Sequence, residues 1–406
     1  MSTASLSQMI RVFGRIGLLS FGGPAAQIAL MHKELVEDRH WLTERQYLNA
    51  LSFCMLLPGP EAMQLATYAG WRMRGTLGGL IAGLLFVLPG AAVILALASA
   101  YAAYGTVPWV AAAFLGIKAT VIVIVLQALL KVSAKALKNA MAYALAVAAF
   151  AAIFALGIPF PFLIAAAALI GAMTMQGDTS EAPTITVSAT RTFGTIALWG
   201  TFWLAPLLGL WLFAPALLAD IATFFSTLAI VTFGGAYAVL AYMVQEVVQG
   251  YGWLTTDQMM DALGLAETTP GPLILVTQFV GFLAGEQAGG WGMGLLAALV
   301  TLWVTFTPCF LWIFAGAPYV EWIATRPRLT GALSGITAAV VGVIANLSVW
   351  FALNVWFTGG TFTLSALDLR ALALSALAAV LLVWRKWDLL IVLPIMAAAG
   401  IGISVI

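Results

Sequence analysis

The chain has 406 residues, of which 63% are hydrophobic and 8% charged, and its formal net charge is +1. No soluble domain of this length presents so little charge to water, so the composition defines an integral membrane protein. Two cysteines (Cys54 and Cys309) and two histidines (His32 and His40) give neither a disulfide framework nor zinc spacing, and no metal or other cofactor is expected.

The amino terminus, Met1 to Arg15, lacks the ordered basic, apolar and small-residue regions of a cleaved signal and is expected to be retained. Apolar segments follow over 9–31, 47–70, 77–99, 108–130, 139–156 and 160–174. A polar stretch, Gln176 to Thr192, precedes a further span at 194–214, and the second half carries spans at 291–313 and 330–354. The longest reach the roughly 18–20 residues that cross a bilayer as a helix, without the alternation of barrel strands. The first two segments are interrupted. Only 16 residues separate Arg15 from His32, and Phe21-Gly22-Gly23-Pro24 breaks them midway, so a re-entrant hairpin fits better than a crossing helix.

Residues 21–60 and 233–272, aligned at an offset of 212, are identical at 17 of 40 positions. Phe21-Gly22-Gly23 returns as Phe233-Gly234-Gly235, Trp41-Leu42-Thr43 as Trp253-Leu254-Thr255, and Pro58-Gly59-Pro60 as Pro270-Gly271-Pro272. At an offset of 219, Pro89 matches Pro308 and Gly116-Ile117 matches Gly335-Ile336. Basic loops of the first half (Lys33, Arg72, Arg74, Lys131, Lys135, Lys138) correspond to cation-free loops in the second, and residues 192–325 hold no Lys or Arg. The cation-free stretch near Gly105 corresponds to the one holding Arg326 and Arg328, although Arg370 departs from the pattern. Because Lys and Arg mark the cytoplasmic side of short loops, the two halves are expected to be oppositely oriented. The expected fold is an all-α polytopic membrane protein with two inverted-topology repeats, at 1–175 and 220–406. Residues 176–219 form the inter-repeat loop and linking helix.

Paired Gly/Pro interruptions in the two halves of a transporter point to its binding site. Helix starts expose unpaired amides and partial positive charge, a setting for anions. The expected substrate-binding residues are therefore Ser20, Phe21, Gly22, Gly23, Pro24, Pro58, Gly59, Pro60 and Gln64 in the first half. In the second they are Thr232, Phe233, Gly234, Gly235, Thr269, Pro270, Gly271 and Pro272. Lys118, near the middle of span 108–130, joins them either as an uncancelled cation for the ligand or, on the blander reading, as a lysine that snorkels or pairs with a carboxylate. Coupling or gating candidates are Glu61 and Glu267, as proton carriers, and Arg72 and Arg74, which also serve as positive-inside anchors. Glu61 equally suits a helix cap or a partner for Gln64, and Gln64 and Gln278 suit either anion contact or helix packing. No nucleophile lies near a base and no dinucleotide loop follows a strand, so an enzyme is not expected.

The motifs resemble those of the chromate ion transporter family in its long, two-domain form. The resemblance rests on Gly17-Leu18-Leu19-Ser20-Phe21-Gly22-Gly23-Pro24, Leu57-Pro58-Gly59-Pro60-Glu61 with Gln64, and Phe86-Val87-Leu88-Pro89-Gly90. Gly116-Ile117-Lys118, Thr232-Phe233-Gly234-Gly235 and Glu267-Thr268-Thr269-Pro270-Gly271-Pro272 extend it, with Trp41-Leu42 and Trp253-Leu254. It implies export of chromate across a bacterial inner membrane, driven by membrane potential with proton antiport optional and sulfate as a competitor; the alternative is a transporter of sulfate or another oxyanion, or an anion channel. Thr120 stands where the resemblance leads one to expect proline. Expected partners are chromate and the lipid bilayer, without nucleic acid; a homodimer is compatible with such a chain.

Overall fold

The computed structural model describes residues 4–21, 23–175, 188–233, 236–319, 326–357 and 363–404, and among these the chain is helical, without a named strand. Gly22, Gly234, Gly235 and most of the inter-repeat loop lie outside the described residues. Helix α1 spans Leu6–Leu19, α2 Gly23–His32, α3 Glu44–Leu56 and α4 Glu61–Tyr104. Then come α5 (Pro108–Ala136), α6 (Ala140–Leu156), α7 (Phe160–Thr174) and the linking α8 (Ala189–Phe213). The second half repeats the order with α9 (Ala216–Val231), α10 (Ala236–Val244), α11 (Thr256–Thr268) and α12 (Val276–Gly316). It ends with α13 (Pro327–Trp356), α14 (Leu369–Ala379) and α15 (Leu389–Ser404). Five stretches are long and apolar enough to cross a membrane: Glu61–Tyr104, Pro108–Ala136, Ala189–Phe213, Leu273–Tyr319 and Pro327–Trp356. The protein is thus an all-α polytopic membrane protein.

Corresponding elements form for corresponding reasons. Thr43 caps α3 and Thr255 caps α11 through reciprocal bonds with Gln46 and Gln258, the same capping box 212 residues apart. A π-helical turn closes α2 at Lys33–Glu37 and α10 at Gln245–Gly250. Both α4 and α12 double back. Arg74 and Gly75 leave helical geometry, as do Gly289 and Gly290, with φ of 62° at Gly75 and 75° at Gly290. Around these reversals a Cβ on Gly70 would meet the Gly78 carbonyl, and one on Gly285 the Met293 carbonyl. Each helix is therefore a tight hairpin of a short arm and a long arm, where the sequence suggested two segments joined by a loop.

The α1–α2 pair also turns back. Arg15 lies 3.6 Å from Glu34, whereas a straight continuation would part their backbones by about 28 Å at 1.5 Å per residue. The chain thus reverses within the short interval.

The halves interlock. Helix α5 packs along α15 of the other half, and α13 along α7. A Cβ on Gly116 would collide with the Met396 carbonyl, and one on its counterpart Gly335 with the Ala167 carbonyl. Close backbone approach at small residues is the usual means of helix association in lipid, where burial of apolar surface gives no drive. Helix α5 runs unbroken through Thr120, whose hydroxyl donates to the Gly116 carbonyl at 2.8 Å.

At the polar end of α2, His32 lies between Glu37 (3.1 Å) and Glu44 (2.7 Å). The bond to Glu44 and the neighbouring charges hold its pKa above the usual value against a smaller opposing effect of burial. The protonated form therefore stabilises the fold below the unfolded value of about 6.5, and this contribution vanishes as pH rises through the higher folded value. His32→Gln is expected to lower the melting temperature at acid pH and to leave it nearly unchanged at pH well above 8, as thermal unfolding in detergent will read.

Candidate functional site at the paired breaks

The four breaks meet two by two across the halves. The Gly271 amide donates to the Ser20 carbonyl at 2.9 Å, and the Gly59 amide donates to the Thr232 carbonyl at 2.9 Å. These are one contact made twice, since Ser20 and Thr232, like Gly59 and Gly271, are 212 positions apart. Both glycines take positive φ, 108° at Gly59 and 86° at Gly271, which an L side chain adopts only with strain. Each crossing abuts the other half's long arm: Gly59 faces Cys309 and Pro270 faces Gly90, positions that correspond at the 219 offset.

Irregular backbone in a membrane must find partners inside the protein. Two glutamines supply them. Buried Gln27 donates to the carbonyls of Gly271 (2.7 Å) and Ser20 (3.3 Å), and buried Gln64 donates to the Pro58 carbonyl at 2.6 Å. The side-chain carbonyls of Gln27, Gln64 and Gln278 are buried without hydrogen-bond partners. Gln27 was not among the expected site residues; a glutamine three residues past a Gly-Gly-Pro break was the available signal.

Several expectations need correction. The amides of Gly59 and Gly271 are not unpaired, because each bridges to the opposite half. The Ser20 hydroxyl donates to the Ile16 carbonyl at 2.6 Å and the Thr232 hydroxyl to the Leu228 carbonyl, so both close back on their own helices. Gln64 bonds Pro58 rather than Glu61. Gly23 opens α2 with Pro24 second, leaving that helix start partly exposed, while Pro58, Pro60, Thr269 and Pro272 are buried. Phe21 and Phe233 are half-buried, each donating its amide two residues back along the chain, to Leu19 and Val231.

Lys118 departs furthest from the sequence expectation. Its Nζ lies 2.9 Å from Asp257 Oδ1 and 3.2 Å from Asp261 Oδ1, and Asp261 also accepts from the Tyr101 hydroxyl at 2.7 Å. The lysine is thus a neutralised cation joining α5 to α11, not a free one. Glu267 is buried and accepts from the Tyr237 hydroxyl at 3.1 Å, and Glu61 is half-buried in the first turn of α4. Arg72 and Arg74 sit at the far end of the short arm, thirteen and fifteen residues beyond Gly59; Arg74 donates to the Ala4 carbonyl at 2.8 Å and tethers the amino terminus. A separate cavity of about 320 Å³, lined by Phe160, Tyr242, Gln245, Gln249, Asn346 and Trp350 among others, contains none of the expected site residues.

A polytopic helical protein whose halves cross at matched backbone breaks has the build of a membrane transporter. The chain belongs to the chromate transporter family, whose model matches residues 7–172 and 219–403, and this is a family of transporters, not of enzymes. It is 31% identical over 356 residues to a probable chromate transport protein of Synechococcus elongatus, covering 84% of this chain and 83% of that one. It is 32% identical over 352 residues to a chromate transport protein of Pseudomonas aeruginosa, covering 85% and 80%. An uncharacterized transporter of Methanocaldococcus jannaschii is 24% identical over 396 residues, covering 96% and 92%. No solved structure matches the chain.

Proposed function

We propose that this protein exports chromate from the cytoplasm across a bacterial inner membrane, with sulfate as a competing oxyanion. Two halves, 1–175 and 220–406, sit in opposite orientations about the loop and linking helix of 176–219. The observation that carries the reading is the doubled crossing, Gly271 to Ser20 and Gly59 to Thr232. A tetrahedral oxyanion needs several donors of modest strength, because a site built on fixed cations would bind a dianion too tightly to release it. Amides of the breaks, with the side-chain amides of Gln27 and Gln64, are such donors once the halves separate enough to exchange their mutual bonds for bonds to the anion. The relatives' names supply the identity of that anion.

An inside-negative potential drives anions outward by about 2.3 kcal/mol per charge per 100 mV, so a dianion gains roughly 4 to 5 kcal/mol on leaving. That corresponds to a gradient on the order of a thousandfold without any coupling ion. Proton antiport is optional on this account, with Glu267 the better placed carrier because it is buried beside Tyr237. Everted membrane vesicles test the proposal. Labelled chromate is expected to accumulate in the lumen when a lumen-positive potential is imposed without a pH gradient, and sulfate is expected to slow it. Accumulation that requires a pH gradient and ignores potential contradicts the potential-driven mechanism.

A further inference from the structure

Corresponding faces of the two halves are not in the same state. On α11, Asp257, Met260, Gly264 and Glu267 form one stripe at helical spacing, and this stripe is docked on α5. Lys118 reaches Asp257 and Asp261, and a Cβ on Gly264 would meet Ile117 and Val121. Met260 is 2% exposed and Glu267 6%. The equivalent stripe on α3 is Arg45, Leu48, Ser52 and Met55. There Leu48 is 48% exposed, Met55 53% and Ser52 is exposed, Arg45 is exposed as its counterpart Asp257 also is, and α3 makes no packing on α13 comparable to that of α11 on α5. Along α2 and α10 the difference is smaller: Ala25 and Ala29 are exposed where Tyr237 and Ala241 are half-buried, while Gln27 and Met31 are buried like Val239 and Met243.

The uncovered stripe mixes an arginine and a serine with a leucine and a methionine, as the docked one mixes an aspartate and a glutamate with a methionine. The repeat itself names what would cover it. The counterpart of α5 is α13, with Ile336 for Ile117, Thr337 for Lys118 and Val340 for Val121.

We infer that the structure is one end state of an exchange: α11 is closed on α5 while α10 rests on α13, and α3 is open and poised to close on α13 in its turn. This deepens the carrier reading above and rests on it for direction, the open side being cytoplasmic. The two closures differ chemically. The closed one is fastened by Lys118 with Asp257 and Asp261, whereas Thr337, Arg45 and Asn49 hold the corresponding places in the other. The ion pairs therefore bias the empty carrier toward the state described. A bound anion redistributes the two states only to the extent that it binds one better.

Disulfide locks test the exchange. The Cβ position of Gly264 lies 3.8 Å from Ile117 Cβ, within the 3.5–4.5 Å or so that a disulfide spans. Ile117→Cys with Gly264→Cys is expected to close rapidly under copper phenanthroline. Chromate flux should fall at least tenfold and return after reduction and removal of the reductant. Ser52→Cys with Ile336→Cys is expected to bridge within one chain slowly in the empty carrier and faster under turnover, because Ile336 is covered in the present state. Native Cys54 and Cys309 are buried, and peptide mapping identifies which pairs form. In the chain carrying all four substitutions, the two bridges should exclude one another. Both bridges in a single molecule, a Ser52→Cys bridge between two copies, no Ser52–Ile336 bridge on prolonged oxidation of the empty carrier, or full flux through the locked Ile117–Gly264 variant would each overturn the inference. The exclusion is read without chromate, so a wrong substrate assignment and a wrong exchange give different results.

Discussion

Gly90→Val is expected to cut chromate flux at least tenfold, and Gly14→Ala to leave it intact. A Cβ on Gly90 would stand 2.2 Å from the Pro270 carbonyl and 2.7 Å from Leu275, while one on Gly14 meets nothing within 4 Å. The neighbour of Gly90 is backbone already held in a left-handed turn at Gly271, so it cannot yield as a flexible side chain would. Relief requires the break to shift, and the Gly271–Ser20 bond and the Gln27 contacts shift with it. Forcing extra methyl groups into a packed interior costs about 1–3 kcal/mol. That is a modest part of total stability, so the variant is expected to insert and fold while losing at least tenfold in flux. The corresponding site in the other half is Cys309, and Cys309→Val, which adds no more than one heavy atom, is expected to retain most of the activity. Vesicle flux normalised to protein amount, with a melting curve for each variant, separates lost function from lost fold.

The second large effect concerns Lys118. Its removal leaves Asp261, whose side chain is 8% exposed, without its cation, and breaking one partner from a buried pair costs about 3–5 kcal/mol. Asp257 is 78% exposed and tolerates the loss through hydration. Lys118→Met is accordingly expected to melt well below the parent and to transport poorly. Adding Asp261→Asn removes the stranded charge, and the double variant should regain most of the melting temperature and transport within a few-fold of the parent. A double variant that is stable and inactive would show that Lys118 touches the anion after all.

The reach of the sequence is clear from particular residues. The Phe-Gly-Gly and Pro-Gly-Pro motifs disclosed the repeat because glycine at positive φ and proline at a helix start are local requirements that survive in the residue types themselves. The five long apolar spans were likewise legible, since their length and composition answer to the bilayer alone. The reversals at Gly75 and Gly290 were read as loops because two non-helical residues suffice to turn a helix, and basic residues at Arg72 and Arg74 resemble an ordinary connection. The crossing bonds were illegible in principle: they join backbone groups more than 170 residues apart, and no side chain records them. Asp257 and Asp261 were visible as an i, i+4 pair, and Lys118 as the one cation within its span. Their meeting across 139 residues depends on how the halves interlock, which spacing along the chain does not encode.

The central claim is that the two halves face opposite sides of the membrane and meet at their breaks, and the turns after α2 and α10 test it most directly. Asp38 and Gly250 are corresponding, exposed residues in those turns. Single Asp38→Cys and Gly250→Cys variants, treated with a membrane-impermeant thiol reagent on intact cells and on everted vesicles, should label from opposite sides: Asp38→Cys only in everted vesicles, Gly250→Cys only on intact cells. Labelling of both from the same side would mean parallel halves, and the doubled crossing could not then serve as a pathway that opens in turn to each side.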